Sequence, residues 1–299
     1  MTVLTSGSVM TEQQAIDKVV ATFNHDVKKF PLHGPDNTPT GYFGLFDKNF
    51  KIIGTKSVTE DYYVHTCDDM VALATAAIRT YNGVCDVRCS FNNGHGLIIA
   101  PPLEVRKAIY GTADNIFGRL ILKAPYVSGC VDAAFGFWRD LCDNMSMLQT
   151  VSQSHFKIRH TKGLTDKMEE LKREFHDLSK GWNLVQEAVG EMEQKRVSLK
   201  DFLADVYGTT TEEMGTRKIK NHEDRTAAVF NRVLEERRKA GRGSIGTDWN
   251  VSAWEAYNGV QGYQQHTAKR PGLNIDQRIW RGFEDTLTAK AERVALLSV

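Results

Sequence analysis

Apolar positions at helical spacing open the chain. Ile16, Val19, Val20 and Phe23 share one stripe within residues 11–27, and Thr11 stands where an N-cap belongs. The period then changes. Residues 31–40 hold three of the seven prolines and read as a turn-rich connection, after which 42–46 and 50–54 flank Asp47-Lys48-Asn49 as a hairpin. A short strand is expected over 61–66 and an amphipathic helix over 68–81, with Met70, Val71, Leu73, Ala74 and Ile78 inward. Residues 84–91 and 96–100 form a second hairpin across Asn92-Asn93-Gly94-His95, ended by Pro101-Pro102. Residues 117–126 read as a third strand region, 132–147 as helix, and 154–159 as a last short strand.

After Gly163 the pattern is helical. Leu164, Met168, Leu171, Phe175, Leu178, Trp182, Val185, Val189 and Met192 recur at alternating spacings of four and three, a heptad-like stripe. Gly181 and Gly190 interrupt it, each costing about 1 kcal/mol of helix propensity, so a break near Lys180-Gly181 is one reading and a continuous helix the other. Further helices are predicted over 198–206, capped by Ser198, over 221–239, capped by Asn221, and over 248–266 and 275–297. The fold class is therefore α+β: N-terminal antiparallel hairpins with helices, followed by a largely α-helical C-terminal half. The expected division is an α+β domain over 1–162 and a helical region over 163–299. The heptad stripe serves either internal packing or self-assembly, and a homo-oligomer is expected.

Composition narrows the class. The 299 residues are 41% hydrophobic and 25% charged, the mix of a globular protein. A net charge of +1 supplies no global attraction to nucleic acid, so any such binding needs a local patch. No basic, apolar leader opens the chain and no run of about 18 apolar residues spans a bilayer, so the expected location is cytoplasmic, with no membrane partner. Cys67, Cys85, Cys89, Cys130 and Cys142 are odd in number and lack a CxxC pair, which argues against a disulfide framework or a zinc ribbon.

Candidate chemistry is sparse. Cys85 and Cys89 on one strand stand about 13 Å apart, too far to share a zinc ion, and read as core. No GxSxG, HExxH, GxxxxGK[ST] or strand-borne GxGxxG occurs. No catalytic residue, metal ligand or cofactor is assigned, and a binding protein is expected rather than an enzyme. Arg159, His160 and Lys162 end the last strand, a junction where cations and backbone amides converge on an anion or where a solvated strand end pairs with an acid. From Arg217 to Arg242, nine Lys and Arg face four acids, leaving +5; the phosphate-contact candidates are Arg217, Lys218, Lys220, Arg237, Arg238, Lys239 and Arg242. Cations at a helix C-terminus also stabilise it with no ligand. Trp254 and Asn258 share one helix face and Tyr263 and His266 the next, as base-stacking groups or as core.

Three blocks carry a family resemblance. Arg139-Asp140-Leu141-Cys142-Asp143-Asn144, Ile158-Arg159-His160-Thr161, and the helix from Trp254-Glu255-Ala256-Tyr257-Asn258 through Tyr263 and His266 resemble, in order and spacing, those of the phage/plasmid-like domain-of-unknown-function family numbered 932. The chain departs from that pattern at Gly262 and Gln265, where acids are usual. The resemblance implies a mobile-element origin (bacteriophage or plasmid). The resulting expectation is a single-stranded DNA binding or annealing protein of recombination or replication, with single-stranded DNA as partner. The alternative is an interaction or counter-defence factor that binds a host protein without catalysis.

Overall fold

A computed structural model describes residues 10–54, 56–80, 87–92, 95–108, 115–126, 129–139, 145–146, 148, 155–268, 278 and 285–297. Contacts gather into two units. The first comprises Met1–Leu103, Arg119–Phe135 and Ser154–Lys180, and the second Glu104–Gly118, Gly136–Gln153 and Gly181–Val299.

In the first unit, α1 (Glu12–Phe23) starts at Thr11 through a capping box with Gln14 and buries Ala15, Val19 and Phe23. Strand β1 (Lys28–His33) pairs antiparallel with β2 (Pro39–Phe46). This hairpin closes around residues 34–38, a stretch that the sequence reads only as a turn-rich connection. Asn37 takes φ 62° in that turn, and the Gly34 amide donates to the Thr38 carbonyl at 2.8 Å. Pro31 is tolerated because a two-stranded sheet leaves an edge that needs no N–H from it. The expected turn at Asp47-Lys48-Asn49 follows β2 as a short pairing, with a bridge from Phe46 to Ile52 and the Asp47 and Ile53 amides donating to the Lys51 and Leu45 carbonyls at 2.9 and 2.7 Å, while residues 61–66 form no strand. Helix α2 (Cys67–Thr80) buries Met70, Leu73, Ala74, Ala77 and Ile78.

The main sheet runs β3-β4-β5-β6-β7, from β3 (Arg88–Asn92), β4 (His95–Ala108), β5 (Asn115–Pro125), β6 (Val131–Arg139) and β7 (Met145–Ser146); β8 (His155–Ile158) pairs the other end of β6. The β3–β4 hairpin has the expected register, Asn92 opposite His95. Strand β4 nevertheless runs through Pro101-Pro102. Its ladder with β3 ends at Ile99, so the missing proline amides break no bond there. Where a helix is expected over 132–147, Val131–Arg139 form β6 and Met145–Ser146 form β7, and 140–144 and 147 lie outside the described residues. Val131, Asp132, Ala133, Ala134 and Phe137 are all buried, so both faces are covered and no period-2 alternation marks the strand. At Gly96 a Cβ would stand 2.3 Å from the Phe23 ring, so the glycine is what lets α1 lie on β4.

Helix α3 (Leu164–Gln194) is continuous through Gly181. Along its stripe Leu164, Met168, Leu171, Phe175, Val185, Val189 and Met192 are buried within the chain; the side chains of Leu178 and Trp182 lie outside the described residues. In the second unit, β9 (Arg196–Ser198) pairs with β10 (Asn250–Ser252). Helix α4 (Leu199–Tyr207) is capped by Ser198. Helix α5 (Thr216–Lys239) begins at Gly215, earlier than the Asn221 cap predicted, with no acid in its first turn. Helix α6 (Ala253–Gly262) is capped by Ser252 and continues as a π-turn, Tyr263–Thr267. Helix α7 (Thr286–Leu297) packs on α6 and α4. Most of the predicted 275–284 segment lies outside the described residues.

Candidate nucleic-acid interface

The C-terminal end of α5 and the start of α6 form a buried ionic lattice. Arg237 Nη1 donates to both oxygens of Glu255, at 2.8 and 2.7 Å. Arg242 reaches the same carboxylate at 3.1 Å and Glu193 at 2.6 Å. The Ser252 hydroxyl donates to Glu193 at 3.0 Å, and the Ser252 amide donates to Glu255 at 2.9 Å. Beside it, Arg139 and Arg232 both pair with Glu236, and the Arg139 guanidinium lies 5.7 Å from the Trp254 ring centre. This lattice closes the N-terminus of α6 on the C-terminus of α5. It also withdraws Arg237 and Arg242 from solvent, so the expectation that they contact phosphates meets guanidinium groups already occupied by buried carboxylates. Lys239 pairs with Glu235 at 2.9 Å on the surface.

Trp254 and Asn258 are likewise not open to bases. Every residue of α6 is buried, Trp254 against Phe137 at 5.6 Å, and the Asn258 amide donates to the Trp254 carbonyl at 2.8 Å. Their helix is core because α5 presses on it through glycine: a Cβ at Gly259 would stand 2.4 Å from Val233, and one at Gly262 would stand 1.9 Å from Arg232. Gly262, a departure from the family pattern, is thus a packing position. Tyr263 and His266 are half-buried in the π-turn. In the first unit His160 is buried, stacked on Tyr62 at 4.7 Å, with Nδ1 3.0 Å from the Tyr63 carbonyl. Burial lowers the pKa of its imidazole. Of the predicted residues, Arg159, Lys162, Arg217, Lys218, Lys220 and Arg238 remain exposed with no ion pair among the described residues.

Among the described residues no group of three or more His, Cys, Asp and Glu is arranged to hold a metal ion, and no helix is long and apolar enough to cross a membrane. Cys89 is largely buried, which pushes its thiol up to about 12; Cys85 lies outside the described residues.

A different surface is open and aromatic. On β1–β2, Phe30 stands opposite Gly44, so Phe30 and Phe46 share one face, with ring centres 5.6 Å apart and nearly perpendicular. Phe50 joins them, 5.9 Å from Phe30. These groups are open: Phe30 is 37% exposed, Tyr42 52%, Phe50 75% and Ile52 54%. Phe50 is also held at φ 59°, a left-handed conformation that costs a bulky side chain about 1–3 kcal/mol. Asp47 imposes it: its carboxylate accepts from the Asn49 and Lys51 amides at 2.8 and 2.9 Å, and the Phe50 amide donates to its carbonyl at 3.0 Å. Lys48, Lys51 and Lys56 lie along this segment, exposed and without an ion pair among the described residues. The sequence reading missed this face. An aromatic in the place where a tight turn asks for glycine or asparagine was the available signal.

Comparison with curated proteins and with solved structures found no match. The model of a family described as a domain of unknown function, DUF932, matches residues 127–294, which include all three blocks of the resemblance. That span is more than half of the chain, and the protein belongs to this family.

Proposed function

We propose that the protein binds an unpaired DNA strand on the open face of the β1–β2 hairpin. The observation that carries the reading is Phe50. Its ring is three-quarters exposed on a strained backbone, so the folded chain bears both costs with little burial in return. A partner that stacks on the ring accounts for both. Phe30 and Phe46 extend the aromatic surface, and Lys48, Lys51 and Lys56 supply cations for a phosphate backbone. Bases stack on aromatic rings without regard to sequence, at about 1–3 kcal/mol each. A neutral chain needs such a local patch.

The test is fluorescence anisotropy with a long labelled oligothymidylate. Binding is expected at about 50 mM salt and weakens steeply as salt rises. Phe50→Ala is expected to weaken it roughly 5- to 150-fold, the cost of one lost stack. Each of Lys48→Ala, Lys51→Ala and Lys56→Ala lowers the salt slope by about 1 if it contacts a phosphate. No affinity at low salt, or affinity indifferent to Phe50, overturns the reading. Salt-independent capture of a protein through the same face favours the host-protein alternative, to which the exposed Ile52 is the contributing observation.

A further inference from the structure

A second aromatic residue, Trp249, is held at positive φ, 56°. The other such residues among those described, apart from Phe50, are Asp26 and Asn37, the types that tolerate this region. The Trp249 backbone is pinned on both sides. Its carbonyl accepts from the first amide of α4, Leu199, at 2.9 Å, and its amide donates to the Gly246 carbonyl at 3.1 Å. The indole consequently stands 4.4 Å from the Phe230 ring of α5, packed against it, and both residues line a groove between α4 and α5.

The groove has a volume of about 470 Å³, inside the range of roughly 300–1,000 Å³ typical of ligand sites. Leu203 and Ala227 make its lining mostly apolar. Thr226 is among the lining residues, and its hydroxyl oxygen is buried with no hydrogen-bond partner among the described residues. A buried hydroxyl left dry costs free energy, and a purely hydrocarbon occupant leaves that cost standing. Lys200, His222 and Asn231 also border the groove and make no hydrogen bond or ion pair among the described residues. Glu223 offsets Lys200, so the fixed charges of the lining cancel. The matching ligand is flat, uncharged and aromatic, with donors and acceptors along its edge.

We propose that this groove takes one unstacked nucleobase, stacked on the open side of the Trp249–Phe230 pair, with its edge toward Thr226, His222 and Asn231. The base comes either from a free nucleoside or from a strand, and the second source rests on the strand-binding reading above.

Calorimetric titration of the full chain with adenosine and with thymidine tests the first source. Binding of either is expected, with loss in Ala227→Trp, which fills the groove from an exposed helix position. Thr226→Val is expected to weaken binding about three- to tenfold, one neutral hydrogen bond, without lowering the melting temperature. If nucleosides are silent, the strand arm decides. Oligothymidylate binding that falls in Ala227→Trp, with an abasic strand of equal length indifferent to the substitution, supports the groove with a strand as source. Silence of both nucleosides together with a strand response unchanged in Ala227→Trp overturns the proposal. Phe50→Ala separates the two readings: it weakens strand binding and leaves nucleoside binding intact, so failure of the strand reading leaves the nucleoside arm standing.

Discussion

Arg237 and Glu255 lock together through both carboxylate oxygens, at 2.8 and 2.7 Å, with both side chains almost wholly buried. Glu255 is the hub: it also holds Arg242 and closes the capping box of α6. Removing it strands the Arg237 guanidinium and leaves Arg242 to Glu193 alone, so Glu255→Ala is expected to cost about 3–5 kcal/mol, the penalty of an uncompensated buried charge. Arg237→Met leaves Glu255 still paired to Arg242 and is expected to cost less. Urea denaturation of both variants checks the order, and a costlier Arg237→Met would remove Glu255 from the centre of the lattice.

Two helix glycines are expected to respond with opposite signs. A Cβ at Gly259 meets Val233 at 2.4 Å, so Gly259→Ala forces α5 off α6 and costs about 1–3 kcal/mol by overpacking. Around Gly190 of α3 nothing lies within 4 Å, so Gly190→Ala gains about 1 kcal/mol of helix propensity. Thermal unfolding of the two variants gives the comparison directly.

His65 sets an acid limit. It is fully buried between Tyr126 and His160, both ring nitrogens lack a hydrogen-bond partner among the described residues, and burial, with a smaller push from His160, holds its pKa down to about 3. Its pKa in the unfolded chain is near the ordinary 6.5. The folded state therefore refuses a proton that the unfolded state accepts. Stability is complete above about pH 6.5 and is lost progressively as pH falls toward 3. Melting temperatures between pH 8 and 5 are expected to drop on the acid side, before the carboxylates titrate. His65→Phe is expected to flatten that slope, and a slope unchanged in the variant assigns it elsewhere.

What the sequence disclosed follows from how local each signal is. Thr11, Ser198 and the α3 stripe announce their helices because caps and heptads act within a few residues. Strand β6 was hidden because Val131–Arg139 is covered on both faces, and its alanines imitate a helix until β8 is brought back from more than 15 residues away. The basic segment misled for a related reason. The count of charges between Arg217 and Arg242 is local, whereas the acids that neutralise Arg237 and Arg242, Glu193 and Glu255, lie outside it. The aromatic face of β1–β2 needed the true register, and the assumption that residues 31–40 were only a connection concealed it.

That register gives the sharpest expectation. At φ 59° Phe50 occupies a conformation that glycine adopts freely, and its exposed ring recovers little from contact with Phe30. Phe50→Gly relieves the strain, and the turn stays closed because Asp47 accepts the Asn49 and Lys51 amides whichever residue stands at 50. Against this, glycine frees the unfolded chain, which returns part of the gain. The expected net effect is a rise in stability of about 1 kcal/mol, read as a higher urea midpoint at unchanged slope. Phe50→Asn, which tolerates the left-handed region, is expected to follow it in the same direction. The same two variants are expected to lose affinity for oligothymidylate. A residue kept only for folding cannot give that pairing of greater stability with weaker binding; a lower urea midpoint in Phe50→Gly would show that the ring stabilises the hairpin, and the case for a partner on this face would fall with it.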